Sequence, residues 1–224
     1  MDAETYDAWY RTSRGRWIGQ VEADLIRKAL APRAGESLLD VGCGTGYFTR
    51  ALAPCISGRI VGVDTDEDRI AYAGACGPAR ISYLVADGTA LPFAEGEFDL
   101  VVSITALCFI PDQMAALREI VRVARRRFAI GLLNRTSLLW LRKGRHGGTG
   151  GYRGARWHTV REAKRPLEEL PVDNIEVVTA IHCPGAGLGA RLVERALPHR
   201  LPTGGFILIA GDKRPAPTGA EPLP

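Results

Sequence analysis

The sequence predicts an α/β fold: a doubly wound, mostly parallel sheet of seven strands with helices packed on it. Short apolar runs and helical segments alternate from Ser37 to Leu133 at the lengths of βαβ units. The runs are apolar on both faces, as buried parallel strands are. A glycine-rich turn, Gly42-Cys43-Gly44-Thr45-Gly46, joins the first run to the helix after it.

Residues 6–30 read as helix with a break near Ser13-Arg14-Gly15. Trp17, Val21, Leu25 and Ala29 recur at four-residue spacing, as one apolar helix face does, and Pro32 and Gly35 end the element. The first strand is 37–41, followed by a helix at 47–53 that Pro54 stops. The second strand is 59–64 and the helix after it 67–74. Strands at 81–85, 98–103 and 128–133 continue the alternation, with a helix at 113–125 before the last of them. Two further strands, 176–182 and 205–210, flank a helix at 188–197.

At 224 residues the chain suits one α/β domain, and 46% hydrophobic with 24% charged residues is ordinary for a globular protein. A formal charge of +4 without a concentrated basic face argues against a nucleic-acid partner. No apolar stretch approaches the roughly eighteen residues of a membrane span, so no stable membrane association is expected. The opening Met1-Asp2-Ala3-Glu4-Thr5-Tyr6 has no apolar run of the signal-peptide kind. The five cysteines are scattered, with no CxxC pair, which suits free thiols in a reducing cytoplasm. No histidine–carboxylate cluster is legible, so no metal is expected.

In open α/β sheets ligands bind beyond the carboxyl ends of the strands, so the residues after each strand are the candidate site. After the first come Asp40, Gly42, Cys43, Gly44 and Gly46; the alternating glycines let the backbone take positive φ and a ligand approach closely. A dinucleotide-binding loop reads G-x-G-x-x-G. Here the third glycine comes one residue early, Tyr47 stands where that pattern needs a small residue, and Asp40 repels a pyrophosphate. After the second strand come Asp64 and Thr65. A carboxylate there offers two oxygens to the cis diol of a ribose. It also reads as a loop acid or helix cap ahead of Asp66 and Glu67.

These residues, with Ala86-Asp87-Gly88 after the third strand and Leu91-Pro92-Phe93 ahead of Phe98-Asp99-Leu100-Val101, resemble the motifs of class I S-adenosylmethionine (SAM)-dependent methyltransferases. The resemblance is to the small-molecule, UbiE-like branch (methyltransferase type 11). It implies a Rossmann-like sheet whose last strand is antiparallel. It also implies SAM as cofactor with S-adenosylhomocysteine as product, and SN2 transfer of the methyl group to an O, N, S or C atom of a small-molecule acceptor. By the same resemblance Asp87 meets the adenine amine and Ala86 and Gly88 flank it. The stretch holding Ser103, Thr105 and Cys108 lines the methionine end of the cofactor and the floor of the acceptor pocket. Many members carry histidines where Cys108 and Phe109 stand, so this loop offers no obvious base.

Residues 1–35 are expected as a helical lid, with Tyr6 on the acceptor and Tyr10 and Arg14 on the cofactor. Tyr10 would shield a sulfonium, since ring faces attract cations. Residues 134–170 are expected as an acceptor-specificity insert, in which Trp140 and Trp157 stack on a ring and His158 acts as a base near neutral pH. Each has a plainer reading: a core-facing helix, a solvated cationic cluster, a histidine capping the helix it opens. The domain runs over 1–212, with a flexible tail at 213–224, and the protein is a monomer or homodimer. The alternatives are a SAM-binding protein without acceptor chemistry and an NAD(P)-dependent oxidoreductase.

Overall fold

The computed structural model describes residues 2–185 and 187–215. Its core is a seven-stranded sheet built from β1 (Leu38–Val41), β2 (Ile60–Asp64), β3 (Ile81–Val85), β4 (Phe98–Ile104), β5 (Ala124–Leu133), β6 (Val172–Ala180) and β7 (Phe206–Lys213). The strand order is β3-β2-β1-β4-β5-β7-β6. The first five strands pair in parallel, and β7 runs antiparallel between β5 and β6.

Strand alternation sorts the core into two layers, because successive side chains leave opposite faces of a strand. Leu39, Val41, Val61, Val63 and Val101 pack with Leu117, Ile120 and Val121 of helix α5 (Gln113–Val123). Leu38, Ile60, Leu100 and Val102 pack on the other face with Ile26 and Leu30 of α2 (Ser13–Leu30) and Phe48 and Leu52 of α3 (Tyr47–Leu52). The remaining helices are α1 (Ala3–Arg11), α4 (Glu67–Cys76), α6 (Leu138–Lys143), α7 (Val160–Lys164) and α8 (Leu188–Ala196). Among the described residues no helix is long and apolar enough to cross a membrane.

The amino-terminal helix breaks at Thr12, one residue before the expected place. Thr12 closes α1 and caps α2, its hydroxyl accepting the Gly15 N–H at 3.0 Å. Gly15 is required there, since a Cβ would lie 2.0 Å from the Trp9 carbonyl oxygen. The buried row of α2 is also displaced by one residue from the expected one: Ile18, Ile26 and Leu30 are buried, whereas Trp17, Val21, Leu25 and Ala29 only flank the core. Strand β5 begins four residues earlier than its apolar run, at Ala124 rather than Phe128, because three arginines find partners along it. Arg125 pairs with Asp99 at 2.8 Å, and Arg126 with Glu36 at 2.5 Å while donating to the Leu30 carbonyl at 3.0 Å. Arg127 pairs with Asp212 at 2.7 Å and donates to the Ala29 carbonyl at 2.5 Å. These contacts tie the last turn of α2 to the sheet. Lys213, expected to open the tail, instead ends β7 and donates to the Arg122 carbonyl at 2.9 Å. The rest of that tail, from residue 216 on, lies outside the described residues.

Arg126→Ala removes the partner of a mostly buried carboxylate and two carbonyl contacts. Its unfolding free energy in urea is expected to fall by about 1.5–3 kcal/mol, the range for hydrogen bonds to charged groups.

Candidate active site

The carboxyl ends of β1, β2 and β4 open into a cavity of about 810 Å³, within the roughly 300–1,000 Å³ usual for small-molecule sites. The glycine turn forms one side. Gly42, Gly44 and Gly46 take φ of 74°, 53° and 75°, the left-handed region that glycine adopts without strain. Two of them are also packed against neighbours: a Cβ on Gly42 would meet Ala106 Cβ at 2.2 Å, and one on Gly46 the Tyr83 hydroxyl at 2.5 Å. At Gly44 nothing lies nearer than Arg69 Nη1, at 3.9 Å, so its backbone is open to a ligand.

Four of the turn's five amides are already engaged. Gly42 N and Cys43 N both donate to the Val63 carbonyl, at 2.7 and 2.9 Å, and Gly46 N to the Cys43 carbonyl at 2.9 Å. Gly44 N donates to Asp64 Oδ2 at 2.8 Å. A pyrophosphate cradle needs free backbone N–H groups aimed at the phosphates. This turn has spent those four N–H groups and presents Asp40 and Asp64 beside them, which suits a cationic, phosphate-free ligand. Asp64 also accepts the Asp66 N–H at 3.1 Å through Oδ1, and each of its oxygens keeps a lone pair for a hydroxyl.

Asp40 is 1% exposed and accepts a hydrogen bond from Thr49 Oγ1 at 2.6 Å. Burial, assisted by the charge of Asp64, pushes its carboxyl up to about 7. Burial likewise raises the Cys43 thiol. Thr65, Ala86, Asp87 and Gly88 lie on the wall as expected. Asp87 is exposed and accepts the Thr89 N–H at 2.8 Å, which holds it below the usual carboxylate range, so it caps its own turn as well as facing the cavity.

Helix α1 closes the opposite side. Tyr10 stacks on Tyr47 with ring centroids 3.6 Å apart, and Tyr6 meets Tyr10 edge-on, their hydroxyls 3.4 Å apart. Asp7 binds Arg50 of α3 at 2.7 Å, anchoring α1 over the turn. Tyr6, Tyr10 and Thr105 are thus on the wall. Thr105 holds φ at 58° and donates through its hydroxyl to the Ile104 carbonyl at 2.7 Å.

Seven expected site residues are not on that wall, the first being Gly46, which is packed against Tyr83. Ser103 shares the strand face of Val101, where it is fully buried, whereas Ile104 turns to the cavity. The Cys108 thiol is buried in the α5-side core, accepts the Leu133 N–H at 3.4 Å and is pushed up to about 12 by burial. Trp157 is core, 5.5 Å from the Tyr152 ring, and Trp140 packs partly on the same core under the Arg145 guanidinium. His158 pairs with Gln113 Oε1 at 3.0 Å, and burial with the nearby Arg156 charge lowers its pKa. It sits beside Thr159, which caps α7, in line with its plainer reading. Arg14 has a buried, unpartnered Nε and bears electrostatically on Tyr152 instead of lining the cavity. Strand alternation and core packing aim these six side chains away from the cavity wall.

The cavity gains residues that sequence reasoning missed. Tyr47 follows the glycine turn directly, and Tyr152 comes from the 134–170 segment. Ile181 and Phe206 belong to the β6–β7 end. Glu22, half-buried, projects from α2 between Ile18 and Ile26, a carboxylate that its spacing in that row would have flagged. Separately, His182, Glu194 and His199 place one polar atom each within 4.8 Å of one another, a grouping the sequence did not reveal. Glu194 accepts the N–H groups of Ile181 and His182 at 2.9 and 3.0 Å, and thereby holds Ile181 at a φ of 63°.

The fold and this site define a class: a doubly wound nucleoside-cofactor domain whose glycine turn favours a cationic ligand over a pyrophosphate. The family description "methyltransferase domain" matches residues 39–127. An uncharacterized protein of Mycobacterium tuberculosis is 32% identical over 99% of this chain and 76% of its own. A demethylmenaquinone methyltransferase of Shouchella clausii is 36% identical over 44% of each chain. The fold is similar to that of a SAM-dependent methyltransferase, possible histamine N-methyltransferase, from Thermotoga maritima. That likeness has a TM-score of 0.74 and 22% identity, and covers 94% of this chain and 95% of the other. The chain therefore carries a methyltransferase domain at residues 39–127, on a fold similar to that of SAM-dependent methyltransferases.

The raised Asp40 carboxyl has a measurable consequence. An unfolded aspartate ionises near 3.9, so between there and about pH 7 the unfolded chain has lost a proton that the folded chain keeps, and stability falls as pH rises. Asp40→Asn keeps the acceptor for Thr49 and removes the titration. Its stability loss in urea between pH 5 and pH 8 is expected to be smaller than that of the native protein by about 2–4 kcal/mol.

Proposed function

We propose that the chain moves a methyl group from SAM to a small-molecule acceptor bound in the same cavity. The observation that carries this is the glycine turn: its N–H groups at 42, 43, 44 and 46 are satisfied internally, and its two carboxylates face the space a nucleoside cofactor needs. When bound, SAM supplies an electrophilic methyl on its sulfonium for in-line transfer, with S-adenosylhomocysteine left. Asp64 is assigned to the ribose diol, Thr65 and residues 86–88 to the adenosine end, and Asp40 with the turn to the methionine end. Tyr10 and Tyr47, stacked on one another at the wall, would exclude water from a bound sulfonium. A cation bound near Asp40 would favour its ionised form, which burial alone disfavours.

Within this reading residues 1–35 form the lid and 134–170 the acceptor-specificity segment. Leu139, Tyr152 and Arg153 of that segment reach the cavity wall. With His158 directed at Gln113 and no histidine at 108 or 109, the reading leans on proximity, orientation and exclusion of water rather than on a histidine base.

Calorimetric titration with SAM, S-adenosylhomocysteine and NAD⁺ tests it. Binding of the two adenosyl-sulfur ligands without NAD⁺ is expected; binding of NAD⁺ alone refutes the reading. Asp64→Ala is expected to weaken SAM binding by about 1.5–3 kcal/mol, the usual loss for charged hydrogen bonds. Unchanged affinity in the folded variant removes Asp64 from the ribose site.

A further inference from the structure

Glu22 stands apart from the carboxylates of the glycine turn. It lies on α2, in line with Ile18 and Ile26, and its carboxylate reaches the cavity wall. Elsewhere in that row an apolar side chain meets the sheet, so a carboxylate there gives up packing. No hydrogen bond or ion pair satisfies it among the described residues. Its charge bears on four tyrosines: Tyr6 and Tyr10 of α1, Tyr47 of α3 and Tyr152 of the 134–170 segment. From α8 the Glu194 carboxylate faces it as well. Tyr6 feels both Glu22 and the Asp64–Arg69 group, and so marks the passage from the adenosine end to the Glu22 end. The cavity wall that Glu22 joins also carries Ile18, Ile181, Phe206 and Leu139, with aromatic rings from the tyrosines. Glu22 thus adds to that apolar and aromatic part of the wall a carboxylate without a partner among the described residues.

We infer that Glu22 selects an acceptor carrying an amine on an apolar or aromatic body, binds it as the ammonium, and takes the proton that must leave before methylation. The inference rests on the methyltransferase reading of the site and names the substrate class for it. A lone carboxylate in an apolar chamber attracts one cation and repels an acid, while the surrounding rings add cation–π attraction. The ammonium N–H breaks, its proton joins a carboxylate oxygen of Glu22, and the electron pair stays on nitrogen. That pair forms the new N–C bond while the S–C pair stays on sulfur, and nitrogen ends with the positive charge that sulfur loses. Burial, with Glu194 opposing it, raises Glu22 to about 8, so near neutral pH the group is poised to exchange a proton.

The test measures binding to the native protein saturated with S-adenosylhomocysteine, using three probes of one shape: phenethylamine, phenethyl alcohol and hydrocinnamate. The amine is expected to bind roughly tenfold or more tightly than the alcohol, the size of one charge-assisted contact, and the acid most weakly. Amine affinity is expected to rise between about pH 6 and pH 9 as Glu22 ionises, since Glu194 is the other carboxylate facing it and the tyrosines are raised. In Glu22→Gln, isosteric and uncharged, both the preference and the pH rise are expected to vanish while S-adenosylhomocysteine affinity is kept. Equal binding of amine and alcohol, no binding of any probe, or a preference that survives Glu22→Gln overturns the inference and leaves the methyltransferase reading standing. Failure of S-adenosylhomocysteine to bind the native protein overturns that reading, and this inference with it. The comparison of probes on native protein decides the matter even where the variant does not fold.

Discussion

All four residues of β1 are buried, and the strand is hydrogen-bonded along both edges to parallel neighbours. The rest of the site follows from that constraint. A strand enclosed in this way has no loop of its own to spare for ligands; only its carboxyl end is open, and there the chain must turn without filling the space it creates. Glycines make the turn, and the neighbouring strand's last residue, Asp64, ties it down through the Gly44 N–H. The one polar side chain inside β1, Asp40, sits where sheet and cavity meet, held by Thr49 from the helix that the turn begins. Sheet register, turn shape and site charge are therefore a single arrangement.

The opposite edge of the same sheet sets the far wall. Arginines at the start of β5 hold the last turn of α2, and from that anchor α2 runs up the face of the sheet to the cavity. Its buried row places Ile26 and Leu30 in the core and Glu22 at the mouth of the chamber. Charge at one end of the molecule thereby fixes the position of charge at the other. The clamp tolerates little drift, since Glu36 accepts both Arg126 and the Arg33 N–H.

The strands and the glycine turn were legible because each is a local pattern: a short apolar run, a spacing of glycines, an acid at a strand end. Asp40, Gly44, Asp64 and Asp87 fell where their positions after strands put them. What was not legible is direction. Ser103 and Ile104 are neighbours in one strand, and only the pairing of β4 decides which faces the cavity. Cys108, Trp157 and His158 were plausible by residue type, yet tertiary packing turns them into the core or onto Gln113. The offset row of α2 shows the same limit. Two four-residue series run down that helix, and the more aromatic one, with Trp17, drew attention from the one that contains Glu22. The basic start of β5 was hidden because arginine seldom signals a strand; its partners, Asp99, Glu36 and Asp212, lie far away in sequence.

The strand order has a consequence for how the protein is made. β6 touches the sheet only through β7, although β7 is the later of the two in the chain. Until residues 206–213 leave the ribosome, β6 has no edge to join, and the turn that carries Ile181 hangs beside an unfinished sheet. Phe206, which opens β7, also lines the cavity. Until β7 is in place, the apolar edge of β5 is unpaired and the cavity lacks Phe206. Such edges invite pairing with other chains, so the yield of folded protein depends on how quickly the final hairpin-like insertion follows translation.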